Sequence, residues 1–339
     1  MIHARVVRIP EPGDPSILEI VERTMRDPGP GEVRVAVRAC GLNRADLMQR
    51  RGVYPAPPGV PHDVPGLELA GMVECVGPDV TEWSVGDRVM GIVGGGAMAT
   101  HVITHARALV RIPRGLDFVE AAAIPEAFMT AWDALFVQGG LRPGMTVLVH
   151  AVASGVGTAV VQIARKMGAT VFGTSRSHDK LARLGALGLA HRILVSGSRA
   201  TPPAFAAELL EQSGGHGADL IIDTVGAAYL EENVRALAPR GTIVCLGLLA
   251  GANGTLPLGL LLSKRGKVVG SVLRSRPLEE KISLAQGFAR EALPWFERRE
   301  LSAVIDRVLP IEEVAEAHRA MELDANVGKI VLVVPAPID

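Results

Sequence analysis

Thr146-Val147-Leu148-Val149-His150-Ala151-Val152-Ala153-Ser154-Gly155-Val156-Gly157 is the stretch on which the fold turns. Its apolar opening makes a short strand, and residues 157–167 after it place Val160, Ile163, Ala164 and Met167 at helical spacing. The small residues between them are therefore a strand-to-helix turn. There, unpaired backbone N–H groups and the helix dipole can hold a pyrophosphate. Gly157 lets the helix pack on the strand. Val152 and Ser154 take the first two places of a strict G-x-G-x-x-G, so context rather than glycine content identifies the cradle.

Further along the chain, strands are expected at 170–174, 191–195, 219–223, 242–246 and 267–271, with a helix at 179–187. Strands alternating with helices mean right-handed crossovers and a parallel sheet covered on both faces, the doubly wound dinucleotide-binding pattern. The second strand runs out into Thr174-Ser175-Arg176-Ser177-His178. Arg176 and Lys180, with hydroxyls beside them, suit a 2′-phosphate and so NADPH. Asp179 falls near the spacing of an NAD-type acid, but it follows the turn and is expected to open the next helix.

Towards the N-terminus the texture is β. Residues 33–40 alternate apolar and polar after the turn cluster Pro28-Gly29-Pro30-Gly31, and strands follow at 69–76 and 87–93. Short strands between turns suggest a small barrel or sandwich. After a helical stretch ending near Phe296, strands around 304–309 and 328–333 are expected to return to this β domain. One domain of 1–124 with 277–339 and another of 125–276 follow.

The 339 residues are 48% hydrophobic, enough for a sizeable core in two domains. Lys+Arg 35 against Asp+Glu 36 argues against a nucleic-acid protein held by bulk charge. Cys40, Cys75 and Cys245 are too few and too scattered for a disulfide framework or a four-cysteine zinc site. No apolar run approaches the ~20 residues of a membrane span. No apolar signal segment follows Met1-Ile2-His3-Ala4-Arg5-Val6, so a cytoplasmic protein without membrane partners is expected.

Leu42-Asn43-Arg44-Ala45-Asp46-Leu47-Met48-Gln49-Arg50, Ala123-Ile124-Pro125-Glu126-Ala127-Phe128, the 150–157 loop and Leu273-Arg274-Ser275-Arg276 resemble the zinc-free quinone oxidoreductase branch of the medium-chain dehydrogenase/reductases. They most resemble its stress-inducible subgroup. The resemblance covers essentially the whole chain. It implies an α/β protein: a GroES-like β-barrel catalytic domain, a Rossmann domain, a cofactor cleft between them, and a homodimer. Where zinc alcohol dehydrogenases of the superfamily place their zinc ligands, this chain has Asn43, Leu67 and Glu126. An amide and a leucine cannot replace thiolate and imidazole, so no catalytic metal is expected. Glu68 and Glu126 then read as structural carboxylates.

Hydride transfer without a Lewis acid suits electron-poor acceptors, so the expected function is flavin-independent reduction of quinones by NADPH. By resemblance Asn43 lies near the nicotinamide, its amide donating to developing charge, and Tyr54 donates a proton or a hydrogen bond or lines the pocket. Asp46 is expected to partner Arg44 or a backbone N–H. The implied cofactor contacts are Asn43, Thr130, Ser154, Gly155, Val156, Gly157, Thr174, Ser175, Arg176, Lys180, Gly226, Gly247, Leu248, Leu273, Arg274, Ser275, Asn326 and Lys329, with Gly328 beside the last. His150 reads as a packed imidazole, and Arg44, Arg50 and Arg51 as solvated charges. The rival readings are an NADPH-dependent enoyl or alkenal reductase and, in another class, a low-turnover NADPH-binding or RNA-binding protein.

Overall fold

The computed structural model describes residues 1–195 and 203–335. The chain forms two compact units, Met1–Met129 with Leu273–Asp339, and Thr130–Val272. These boundaries differ by a few residues from 124/125 and 276/277, for a packing reason. Phe128 is buried edge-on against Phe296 at 4.8 Å, which holds the start of the Pro125–Trp132 helix in the first unit. Arg274 is likewise anchored there, donating to the Gly94 carbonyl at 2.8 Å.

In the first unit, β1 (Ile2–Arg8) and β2 (Glu19–Met25) make an antiparallel pair. β3 (Glu32–Leu42), β4 (Glu68–Val76), β5 (Arg88–Ile92), β6 (His101–His105) and β7 (Leu109–Arg111) follow. The second unit holds β8 (Thr146–Val149), β9 (Thr170–Ser175), β10 (His191–Leu194), β11 (Ala218–Asp223), β12 (Leu237–Cys245) and β13 (Lys267–Gly270). The chain then returns to the first unit with β14 (Ile305–Pro310) and β15 (Lys329–Val333).

The larger sheet of the first unit runs β14-β15-β3-β4-β5-β7, with β6 also on β3. Its inward side chains, among them Val35, Val37, Leu42, Leu69, Val89 and Leu332, form one buried core. Antiparallel β15 sets Ile330 opposite Leu42, which brings Lys329 to the end of β3 where Asn43 begins the Arg44–Arg50 helix.

The second unit is a six-stranded parallel sheet in the order β10-β9-β8-β11-β12-β13. That is the doubly wound order, and its direction reverses between β8 and β11. Val149 is level with Gly173 of β9 and Ile222 of β11, so the carboxyl ends of the three central strands line up. β12 begins at Leu237 rather than 242; Pro239 and Gly241 conceal its start, and the pairing shifts register between Ala218 and Leu220 of β11. β13 is an edge, and the Leu258–Lys264 helix before it buries no residue, leaving Leu258 and Leu262 exposed. Among the described residues no helix is long and apolar enough to cross a membrane.

Candidate functional site

In the parallel-sheet unit, the chain leaves β8 through Ala151 in a left-handed turn (φ 46°) and enters the Gly155–Lys166 helix. Ser154 is its N-cap, the hydroxyl accepting from Gly157 N at 3.0 Å. Ser154, Gly155 and Val156 are accessible while Gly157 is buried. A Cβ at Gly157 would stand 2.5 Å from the Val152 carbonyl, so only glycine lets the helix start this close to the strand. The Gly157 N–H is taken by that cap, and the N–H groups of the accessible Gly155 and Val156 have no partner inside the helix, which leaves them for an anion. Thr130 and Thr224, in the same unit, each carry a buried hydroxyl without a hydrogen bond. A cradle this tight and orphaned polar atoms in the same unit fit a nucleotide. The loops carrying Gly226, Gly247 and Leu248 are brought together: Leu246 N bonds the Asp223 carbonyl at 2.7 Å and Ala250 N that of Val225 at 2.8 Å.

At the end of β9, Ser175 Oγ accepts from Ser177 N at 3.2 Å, and Ser177 caps the helix in which Lys180 lies. Arg176 is exposed, and Asp179 is a fully exposed first-turn residue of that helix. Thr174 differs from expectation. It is buried, and its hydroxyl lies 2.8 Å from His150 Nδ1. The proton positions follow from the chain of partners. Asp223 accepts from Val225 N, Gly226 N and Asn233 Nδ2 at 2.7, 3.0 and 3.0 Å. The Asn233 oxygen therefore faces His150 Nε2 at 2.6 Å and accepts its proton. Nδ1 is left to accept from Thr174, whose proton is thereby turned away from any ligand. Burial holds the His150 pKa below its ordinary value, which keeps the imidazole neutral.

A second polar cluster lies in the first unit. Lys329, 4% exposed, donates to the Leu42 carbonyl (2.9 Å), Asn43 Oδ1 (2.6 Å) and Glu68 Oε1 (2.6 Å). All three ammonium protons are committed, so it is a strut rather than the expected cofactor contact. Asn43 Nδ2 donates to Glu68 Oε1 at 3.0 Å and to the Gly41 carbonyl at 3.3 Å. Both amide protons are thus engaged, and the expected donor to a substrate oxygen is already occupied. Glu68 is fully buried and its other oxygen accepts from Glu126 N at 2.8 Å. A side chain at Gly41 would collide with this carboxylate. Asp46 accepts from Asn43 N and Gly66 N, both at 2.8 Å, and burial pushes its pKa up to about 6. Burial, then the Glu68 charge, pushes Glu126 up to about 8.

Tyr54 is half-buried beneath the Arg274 guanidinium, 5.0 Å from the ring centre, and burial raises its phenol pKa. Arg274 is itself buried, donating to Gly94 O, Tyr54 O and Gln49 Oε1 at 2.8, 3.2 and 2.6 Å. It is a clamp within the first unit, where the resemblance implies a cofactor contact. Leu273 is buried beside it and Ser275 is exposed. Asn326 Nδ2 bonds the Gly328 carbonyl at 2.8 Å. Arg44 pairs with Asp324, not Asp46. Arg50, expected in solvent, is 1% exposed and bonds His318, Glu322 and the Gly13 carbonyl. The weight of Glu126 and the Asp223–Asn233 pair was missed. The one hint of the former was that Glu126 stands where zinc-dependent relatives place a ligand.

Two family models match the chain: "Alcohol dehydrogenase GroES-like domain" over residues 29–114 and "Zinc-binding dehydrogenase" over 155–287. A quinone oxidoreductase of Pseudomonas aeruginosa is 35% identical over 94% of this chain and 96% of its own length. The human synaptic vesicle membrane protein VAT-1 homolog is 35% identical over 91% and 80%. The chain belongs to the medium-chain dehydrogenase/reductases, in their quinone oxidoreductase-like branch. The solved JamJ enoyl reductase superposes with TM-score 0.87 at 27% identity, covering 98% of this chain and 99% of that one. A mycobacterial relative complexed with NADPH gives 0.86 at 26%, covering 97% and 99%. The first unit is thus the superfamily's GroES-like domain and the second its Rossmann domain. The chain is an oxidoreductase of this superfamily.

The zinc in one family description does not suit the residues present. Leu67 has no lone pair, the Asn43 amide is spent on Glu68, Gly41 and Lys329, and an ammonium already sits on the Glu68 carboxylate. Among the described residues no three His, Cys, Asp or Glu groups are placed to hold a metal ion.

Proposed function

We propose that the protein reduces quinones with NADPH by hydride transfer, without zinc or flavin. The observation that carries this reading is the Lys329–Glu68–Asn43 strut, which supports the view that no ion polarises a substrate oxygen here. Ser154 and the first turn of the Gly155–Lys166 helix would hold the pyrophosphate. Gly226, Gly247 and Leu248 would line the nicotinamide side, and the buried Thr130 and Thr224 hydroxyls of the same unit would gain partners from the nucleotide. Arg176, with Ser175, Ser177 and Lys180, would take the 2′-phosphate and so select NADPH over NADH. When bound, the reduced nicotinamide supplies a hydride, which only an acceptor able to spread the incoming charge takes up readily. Tyr54 would border the acceptor. The relatives named as quinone oxidoreductases support the substrate class.

The likeness to an enoyl reductase favours a second reading, reduction of α,β-unsaturated carbonyls by the same hydride. The deciding experiment competes 1,4-naphthoquinone with an alkenal at equal concentration, with NADPH and then NADH. Faster quinone turnover with NADPH supports the proposal. Faster alkenal turnover moves it to the second reading, and equal use of NADH overturns the cofactor assignment. If neither acceptor is reduced, a low-turnover NADPH- or RNA-binding role follows, which salt-titrated RNA binding would separate. We place the protein in the cytoplasm. A homodimer, with exposed Leu258 and Leu262 and the open edge of β13 as its surface, completes the reading.

A further inference from the structure

We propose that Glu126 is the acid that protonates the reduced acceptor; this rests on the hydride-transfer reading above. Reduction by hydride leaves a negative oxygen that must gain a proton. In the first-unit cluster nearly every polar hydrogen is spoken for. Lys329 gives its three to Leu42, Asn43 and Glu68, and Asn43 gives both of its amide protons to Glu68 and Gly41. Asp46 is held by two backbone N–H groups. Glu126 is different. Among the described residues its carboxyl has no hydrogen-bond partner, although its backbone N–H is tied to Glu68. From 121 to 129 every residue is buried except Glu126, which lies in the first turn of the Pro125–Trp132 helix and is partly accessible.

The groups that face this carboxyl are Glu68, Asp46, Lys329, Arg274, Lys281 and Tyr54. Burial is the largest influence on it, and Glu68 the next. The Lys329 charge that would oppose them is paired with Glu68. The group is therefore protonated at neutral pH, with a pKa of about 8 suited to proton donation. In the step, a bound reduced nicotinamide would give its hydride: its C–H bond breaks, that hydrogen with the electron pair bonds to the quinone, and the nicotinamide is oxidised. Charge collects on a quinone oxygen. The Glu126 O–H bond breaks as an O–H bond forms on that oxygen. Glu126 is left as a carboxylate and recovers its proton from water on its accessible side.

The test compares wild type with Glu126→Gln and Glu126→Asp. In the protein without cofactor, infrared difference spectra between pH 6.5 and 9.5 should show a protonated carboxyl band that disappears through about pH 8. The Gln variant should lack it. With NADPH and 1,4-naphthoquinone, wild-type kcat should fall above that pH. Glu126→Gln should lose roughly a hundredfold in kcat together with the alkaline limb, keep its NADPH Kd, and be partly rescued by Glu126→Asp. Retention of wild-type kcat and alkaline limb in Glu126→Gln overturns the proposal. So does a kcat loss in Tyr54→Phe that Glu126→Gln does not share, which would make the phenol the donor. A wild type that reduces neither quinone nor alkenal overturns the hydride-transfer reading and the donor role with it, while the carboxyl band separates that failure from an unprotonated Glu126.

Discussion

Lys329 and Glu68 are each almost fully buried, so removing one leaves the other a charge with no partner in a low-dielectric site. Lys329→Met should cost about 3–5 kcal/mol in urea unfolding, and adding Glu68→Gln should recover part of it, because two neutral groups remain. At the cofactor end, Arg176→Ala should raise the Kd for NADPH by roughly 10- to 100-fold and leave NADH nearly unchanged in fluorescence titration, since a charged hydrogen bond to the 2′-phosphate contributes ~1.5–3 kcal/mol. Asn43 shows where reading single residues stops. The 42–50 stretch implies a place beside the nicotinamide only by resemblance, and the Asn43 amide is occupied by an ammonium 286 positions away, which no local pattern reveals. The same holds for Arg50, made structural by His318 and Glu322 from the far end of the chain.

Apart from the start of β12, the strands of the parallel sheet were legible almost residue by residue, because each is a short apolar run bounded by turn signals. Less legible is how their ends are tied together. His150 follows β8, Thr174 is the last residue but one of β9, Asp223 ends β11, and Asn233 of the Leu230–Ala236 helix closes the circuit. Asn233→Leu would leave the His150 N–H and one Asp223 oxygen buried without partners. It should destabilise the protein by about 2–4 kcal/mol and, by loosening the Gly226 loop, weaken NADPH binding in a calorimetric titration. The β1–β2 pair, β6 and β7 were not anticipated. β2 has no buried residue and β7 has three residues, so neither leaves a strong periodic signal.

Across the whole molecule, the ionisable groups whose pKa values are displaced chiefly by desolvation set opposite pH limits. Asp46 and Glu126 have folded pKa values raised to about 6 and about 8, so the stability tied to their neutral forms is full at low pH and lost as pH rises through those values. His150 and His318 are depressed, His318 to about 3, each chiefly by burial; their contribution is full above the ordinary value near 6.5 and lost as pH falls below it. Between pH 6.5 and 8 Glu126 is the one of these four that titrates. Wild-type Tm should drop across that window, and Glu126→Gln should hold level in differential scanning calorimetry.

The path of the chain through its two units also has a bearing on its biogenesis. Residues 130–272 are continuous, so the ribosome delivers one whole half before the other is finished. Until Lys329 is translated, the nascent barrel carries Glu68 without its counter-ion and β3 without β15 along one side. The nucleotide-binding half should thus become protease-resistant first on stalled chains, with the other half maturing only when its final strand is threaded home.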